Sequence, residues 1–253
     1  MITAAGSGHP GGSLSAVDVI ATLFEYVLQH NPKQPDWPER DRFVLSKGHG
    51  VPALYAVLAH RGYFNRSDLN SLRSLGSPLQ GHPVVDTVPG IEACTGSLGQ
   101  GLSVAQGMAL AASIDRKTYH VYCMLGDGEI QEGQVWEAAM SAAKYKSDNL
   151  IAILDHNGGQ IDGFTKEVMP LEPLADKWKA FGWQVTTIDG HNYAEILEGF
   201  TWAKQHQGAP KIIIANTIKG KGVSFMENDM RWHGAAPSQE ELTQALTELE
   251  VTP

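Results

Sequence analysis

Residues 121–163, VYCMLGDGEIQEGQVWEAAMSAAKYKSDNLIAILDHNGGQIDG, constrain the fold more than any other stretch. An apolar run ends in Gly126-Asp127-Gly128. Apolar residues at helical spacing follow, namely Val135, Trp136, Ala139, Met140 and Ala143. A second apolar run, 150–154, ends just before Asp155-His156-Asn157-Gly158-Gly159. The pattern predicts strand, turn, helix, strand. Strands of a βαβ unit are parallel, so both carboxyl ends open onto one edge of the sheet. Asp127 and Asn157 then meet in space although about 30 residues separate them. A carboxylate and an amide oxygen make a hard oxygen site suited to Mg²⁺, which takes the rest of its shell from phosphate and water. Ca²⁺ or Mn²⁺ would suit the same donors. Gly126 is expected to permit a sharp turn, and Gly128 to let a phosphate approach the backbone. An ordinary βα turn with an acidic cap also satisfies Gly-Asp-Gly taken alone. The Asn-Gly pair ending the next strand weighs against it.

The rest of the chain continues the alternation. Strands are expected over 42–46, 183–188 and 211–218, and helices from residue 14 to 28 and over 51–61, 103–114, 171–181, 193–206 and 238–249. Asp18 is expected in the first turns of its helix, and Ser238 with Glu241 forms a capping box. Residues 63–90 read as loop with one short helix over 68–75. Apolar strands alternating with helices predict a three-layer α/β/α fold with a mostly parallel, doubly wound sheet. At 253 residues, one domain over 1–253 is expected. A net charge of −9 without a basic block argues against a nucleic-acid partner. No apolar run approaches the roughly 20 residues that span a bilayer, and the chain opens without a signal peptide. Two cysteines, Cys94 and Cys123, give no disulfide framework; both are expected in the core, and a cytoplasmic location follows.

Several loops carry chemistry. Residues 7–13 are glycine-rich and hold His9. The strand over 42–46 runs into Lys47-Gly48-His49-Gly50 ahead of a helix, a plausible anion site. His82 lies in Gly-His-Pro. Residues 95–101, Thr-Gly-Ser-Leu-Gly-Gln-Gly, offer backbone groups to a planar heterocycle and Leu98 to its face. A turn that lets the following alanine-rich helix pack closely is the alternative. Lys219 and His233 sit in Lys-Gly-Lys-Gly and Trp-His-Gly. Each of these, taken singly, also reads as a solvated loop residue.

Together these strings resemble the transketolase family, in family order, from Ser7 to Pro237. Gly-Asp-Gly followed by Asn looks like its thiamine diphosphate signature, so the resemblance implies a thiamine diphosphate-binding fold. It also implies Mg²⁺ held by Asp127, Asn157 and the carbonyl of Gly159, which is usually a bulky aliphatic in the family. Gly96, Ser97, Leu98, Asp127, Gly128, Asn157, His49, Lys219 and His233 would contact the cofactor. His9, Lys47 and His82 would face the sugar substrate, and His9, His49, His82 and His233 would serve catalysis. Glu132 and Glu137 match acids that meet across a dimer interface and relay protons. The family usually has a longer helix before the first loop, so that helix is expected to be shortened or lost. The match covers only the diphosphate-binding part of a full transketolase. No glutamate here sits in the motif that activates the aminopyrimidine ring. The resemblance therefore implies one subunit of a split, α₂β₂ transketolase, completed by a second chain carrying the pyrimidine-binding and C-terminal domains. Ordinary pentose phosphate chemistry, specialised ketol transfer in sugar catabolism, and a non-catalytic assembly role remain alternatives.

Overall fold

The computed structural model describes residues 1–250. In chain order it contains α1 (Ile2–Ala5), α2 (Pro10–Thr22), β1 (Arg42–Leu45), α3 (Val51–His60), α4 (Gln100–Ile114), β2 (Val121–Gly126) and α5 (Gly133–Lys144). Next come β3 (Leu150–His156), β4 (Gly159–Gln160), β5 (Gly163–Phe164), α6 (Thr165–Val168), α7 (Leu174–Ala180), β6 (Gln184–Asp189), α8 (Tyr193–Gln205), β7 (Lys211–Asn216) and α9 (Gln239–Glu250). A wholly parallel sheet runs in the order β1-β2-β3-β7-β6, and β4 with β5 forms a small antiparallel ribbon.

The apolar runs behave as parallel strands must. Every residue of β2 is buried, as are the first six of β3, because helices cover both faces. On one face α2, α3 and α8 bring Ile20, Leu54, Leu58 and Phe200 against the sheet. On the other, α4, α5 and α7 bring Ala105, Ala109, Val135, Ala139 and Trp178. Each large side chain so buried contributes about 1.5–3 kcal/mol from removal of apolar surface from water. The three-layer α/β/α, doubly wound expectation is borne out.

Register delivers the expected convergence. Gly126 pairs with Asp155, and Asp155 pairs with Ala215 across β3 and β7. The carboxyl ends of β2, β3 and β7 therefore share one edge, with the residues following each strand directly above it.

Some expectations need correction. The last strand stops at Asn216, which frees Thr217 and Ile218 to turn toward β3; Thr217 N–H donates to the His156 carbonyl. The short helix expected over 68–75 is a 3₁₀ segment, Arg66–Ser71. Asp18 lies well past the first turn of α2, since Pro10 begins it, and there it accepts hydrogen bonds from His191 and Tyr193. Cys94 is exposed on the loop before α4, while Cys123 is buried in β2 as expected. The capping box forms: Glu241 N–H donates to Ser238 Oγ, and Ser238 N–H to Glu241 Oε2. Among the described residues, the single turn α1 lies before the His9 loop. No helix among the described residues is long and apolar enough to cross a membrane.

Candidate active site

A cleft of about 350 Å³ lies above the carboxyl ends of β1, β2, β3 and β7. Into it the fold brings His9, Lys47, His49, His82, Gly96, Leu98, Asp127, Gly128, Asn157, Gly159, Lys219 and His233. These twelve come from eight separate stretches of chain. Glu132 reaches the rim. Ser97 and Glu137 do not line the cleft; both are exposed, Glu137 on the outer surface of α5. A larger groove of about 760 Å³ between α2, α3 and α8 contains none of the expected site residues.

Asp127 follows β2 directly and is 2% exposed. Its Oδ1 accepts from the Gly128 N–H at 2.8 Å and its Oδ2 from the Gly158 N–H at 2.6 Å. The second bond ties the two loops that the βαβ unit was expected to bring together. Burial, then the nearby Asp155 carboxylate, pushes the Asp127 pKa up to about 6. Each carboxylate oxygen keeps a lone pair free for a cation. Asn157 is oriented from behind: its Nδ2 donates to Asp155 Oδ2 at 3.1 Å and to Ser15 Oγ at 3.2 Å, which fixes the amide oxygen on the loop side.

Asp155 is the anchor that the sequence reading missed. It is fully buried and accepts from Lys47 Nζ, from Ser15 Oγ at 2.7 Å and from Thr217 Oγ1 at 2.5 Å. Burial alone would raise its pKa; the Lys47 ammonium and the three hydrogen bonds outweigh that and hold it below the usual carboxylate range. Glu129 was missed too. This buried carboxylate accepts from Ser46 Oγ and from the Gly99 and Gly126 N–H groups, each at 3.0 Å, and so pins the loop before α4 to the end of β2. A signal for Asp155 was present: it closes the buried run of β3, two residues before Asn157. Nothing comparable marked Glu129.

The glycines divide between two jobs. A Cβ at Gly101 would lie 2.3 Å from Ser46 Oγ, so close packing of α4 on the end of β1 requires glycine there. Gly96 and Leu98 instead face the cleft. The close-packing reading of that loop holds at Gly101, while Gly96 and Leu98 are left open to a ligand in the cleft. Gly126 and Gly128 are not in the left-handed region, so the sharp turn expected of Gly126 is made with ordinary dihedrals. Gly159 has a local explanation: a Cβ there would lie 2.5 Å from Met230 Sδ. The thioether fills the space that a bulky side chain at 159 would take.

Four imidazoles form one cluster. The His9 ring lies 5.2 Å from His49 and 5.5 Å from His233, centroid to centroid, and His82 lies 6.3 Å from His9. Burial first, then neighbouring cations, lowers all four pKa values, His9 to about 4 and His233 to about 3. They are neutral at pH 7. Lys219 Nζ lies 3.1 Å from His233 Nδ1, and burial, then Lys47, lowers its pKa to about 8.

The residues fit a divalent cation carrying a diphosphate. No cluster of three or more His, Cys, Asp and Glu among the described residues would hold a metal by itself. Asp127 supplies one hard donor, and the Asn157 and Gly159 carbonyl oxygens are neutral hard donors beside it. Phosphate oxygens would complete such a shell. Lys219, buried with a neutral imidazole as its hydrogen-bond neighbour, suits the anion.

Residues 1–253 match the family described as "Transketolase, thiamine diphosphate binding domain". A 6-deoxy-6-sulfo-D-fructose transketolase subunit from a Clostridium species is 51% identical over 97% of this chain and 89% of its own length. An apulose-4-phosphate transketolase subunit from Phocaeicola vulgatus is 45% identical over 96% of this chain and 86% of its own. Among solved structures, the transketolase of Campylobacter jejuni superposes with a TM-score of 0.94 at 37% identity over 98% of this chain. The chain spans only 40% of that enzyme. By its length-wide match and by its fold, the chain belongs to the transketolase family of transferases, as that family's thiamine diphosphate binding domain.

Proposed function

We propose that this chain is the diphosphate-binding subunit of a split, Mg²⁺-dependent transketolase. Residues 1–253 act as one domain in an α₂β₂ assembly with a second chain that carries the pyrimidine-binding and C-terminal domains. The reaction moves a two-carbon ketol unit from a ketose phosphate to an aldose phosphate. The observation that supports this most is the convergence of Asp127, Asn157 and Gly159 with four neutral histidines and Lys219 in one cleft.

When bound, thiamine diphosphate supplies a carbon nucleophile for cleavage of the bond beside a ketone. This chain's residues do the rest of the local work. Asp127 and Asn157, with the Gly159 carbonyl, hold the metal, and Asp155 keeps the Asn157 amide turned correctly. Lys219 and His233 meet the diphosphate. His9, His49 and His82, neutral and partly desolvated, donate hydrogen bonds to the donor carbonyl oxygen and sugar hydroxyls and carry protons as the carbon–carbon bond breaks. Leu98, which lines the cleft, would pack against the heterocycle. Glu132 and Glu137 would meet a second copy of the chain and relay protons across that interface; both are exposed.

The names of two relatives favour a second substrate reading. One is named for 6-deoxy-6-sulfo-D-fructose and the other for apulose-4-phosphate. Specialised ketol transfer in sugar catabolism is therefore weighed beside the pentose phosphate role. The deciding experiment copurifies the chain with its partner from the cytoplasm of the native source and assays ketol transfer. Ketose phosphates and 6-deoxy-6-sulfo-D-fructose would be compared as donors across several aldose phosphates. Turnover that requires both chains, the cofactor and Mg²⁺ supports the proposal. A chain that pairs correctly and turns over none of these donors overturns it in favour of a non-catalytic role.

A further inference from the structure

The segment between α3 and α4 contains a strained arginine. Arg73 has a φ of +60°, in the left-handed region. That backbone is unfavourable for a residue with a Cβ, and such strain persists only where the surroundings hold it. The turn is closed by Arg73 N–H donating to the Leu79 carbonyl at 2.8 Å. Its consequence is to swing the guanidinium onto the wall of the histidine cluster. Nη1 donates to Ser7 Oγ at 3.0 Å, and Nη2 lies 3.5 Å from both His9 Nδ1 and the Gly81 carbonyl. Room for this is left by Gly81, where a Cβ would lie 2.8 Å from Arg73 Cζ.

A guanidinium has only donors. The His9 nitrogen that faces it must offer a lone pair. A neutral imidazole carries one N–H, so the proton resides on Nε2. That nitrogen lies on the inner side of the ring, 3.9 Å from the Cβ position of Gly234, beside His233. We propose that Arg73 is a positioning residue that fixes His9 as the Nε2–H tautomer, and thereby sets the hydrogen-bond donor that His9 presents to the sugar. The sugar's identity rests on the ketol-transfer reading; the tautomer is a property of this chain alone. The groups facing His9 act together. Arg73, Lys47 and Lys219 are cations, while His82, His49 and His233 are neutral imidazoles, and no carboxylate among them favours an imidazolium.

The test uses the full chain labelled with ¹⁵N-histidine. Long-range ¹H–¹⁵N spectra of the unaltered chain and of Arg73→Met and Arg73→Lys assign the His9 tautomer, and the same three are assayed with the partner subunit. The unaltered chain is expected to show Nε2–H, retained in Arg73→Lys, which is also donor-only. Arg73→Met is expected to give a mixture of tautomers. Its kcat should fall in proportion to the Nε2–H fraction lost, about two-fold for an equal mixture, with little change in KM. Removing a cation should also move the acid limb of its kcat profile to higher pH. An Nδ1–H tautomer in the unaltered chain overturns the proposal, as does an Arg73→Met chain with unchanged tautomer and kcat. Absence of turnover in the unaltered complex would sink the ketol-transfer reading, while the spectra still decide the tautomer.

Discussion

Asp155→Ala is the perturbation whose outcome depends most directly on the geometry. The Asp155 and Lys47 side chains are 1% and 2% exposed, and the carboxylate collects further donors from Ser15, Thr217 and Asn157. Removing it strands an ammonium in a site nearly closed to water. Breaking a buried pair by deleting one partner costs about 3–5 kcal/mol, against about 0–1 kcal/mol for a surface pair. With total stability of about 5–15 kcal/mol, the loss is a large fraction of the whole. For a urea slope of about 2 kcal/mol/M, the midpoint should fall by roughly 1.5–2.5 M. Equilibrium urea unfolding of the unaltered chain, Asp155→Ala, Lys47→Met and the double variant Lys47→Met/Asp155→Leu would measure this. The double variant should recover part of the loss, since no buried charge remains. Because the folded pKa of Asp155 is depressed, its contribution is present above about pH 4 and is lost as the pH falls further. A loss below about 1 kcal/mol in Asp155→Ala would mean that the pair behaves as if solvated, and the account of Asn157 orientation built on it would go too.

Three further outcomes follow from the site. Asp127→Asn removes a buried carboxylate whose ionised form is disfavoured, but its amide nitrogen cannot accept the second backbone N–H bond that Asp127 takes, so the metal-free chain should change in thermal stability by no more than about 1 kcal/mol. The same variant should lose the stabilisation that Mg²⁺ with thiamine diphosphate gives in a thermal-shift titration; an unchanged shift would take Asp127 off the metal. Gly159→Ala should weaken cofactor binding about 10-fold or more by driving the loop off Met230, with recovery in Gly159→Ala/Met230→Ala, read by isothermal titration calorimetry. Finally, His9, His49 and His233 have lowered folded pKa values, so below about pH 6.5 the unfolded chain binds protons that the folded chain refuses. Stability should fall as the pH drops from about 6.5, by at most about 1.4 kcal/mol per pH unit for each group and less with partial exposure. His49→Gln should make that slope shallower; a slope unaltered by it would mean that His49 is already protonated in the fold.

The organising unit was legible in the sequence because its signals are local. Two apolar runs of strand length with a helical spacing between them can form only a few structures. Parallel strands then place both carboxyl ends on one edge, so Asp127 and Asn157 had to meet. Family strings placed His9, Lys47, His49, His82, Lys219 and His233 near that edge. Ser97 carried the same strings, yet the structure leaves it outside the cleft, because a motif fixes residue order and not side-chain direction. Cys94 misled for a related reason, since apolar neighbours along a loop do not imply apolar neighbours in space.

What only the tertiary structure decided concerns contacts between residues far apart in sequence. The Asp155 carboxylate meets Ser15 of α2 and Lys47 and Thr217 from the turns after β1 and β7, and Glu129 meets Ser46 and Gly99. Met230 explains Gly159, and Gly81 leaves the room that Arg73 uses to reach His9. Short-range pattern follows from the periodicity of the backbone, which one chain reveals by itself. Burial, protonation and tautomer depend on which groups the fold stacks around a site, and those distances exist only once the helices have closed over both faces of the sheet.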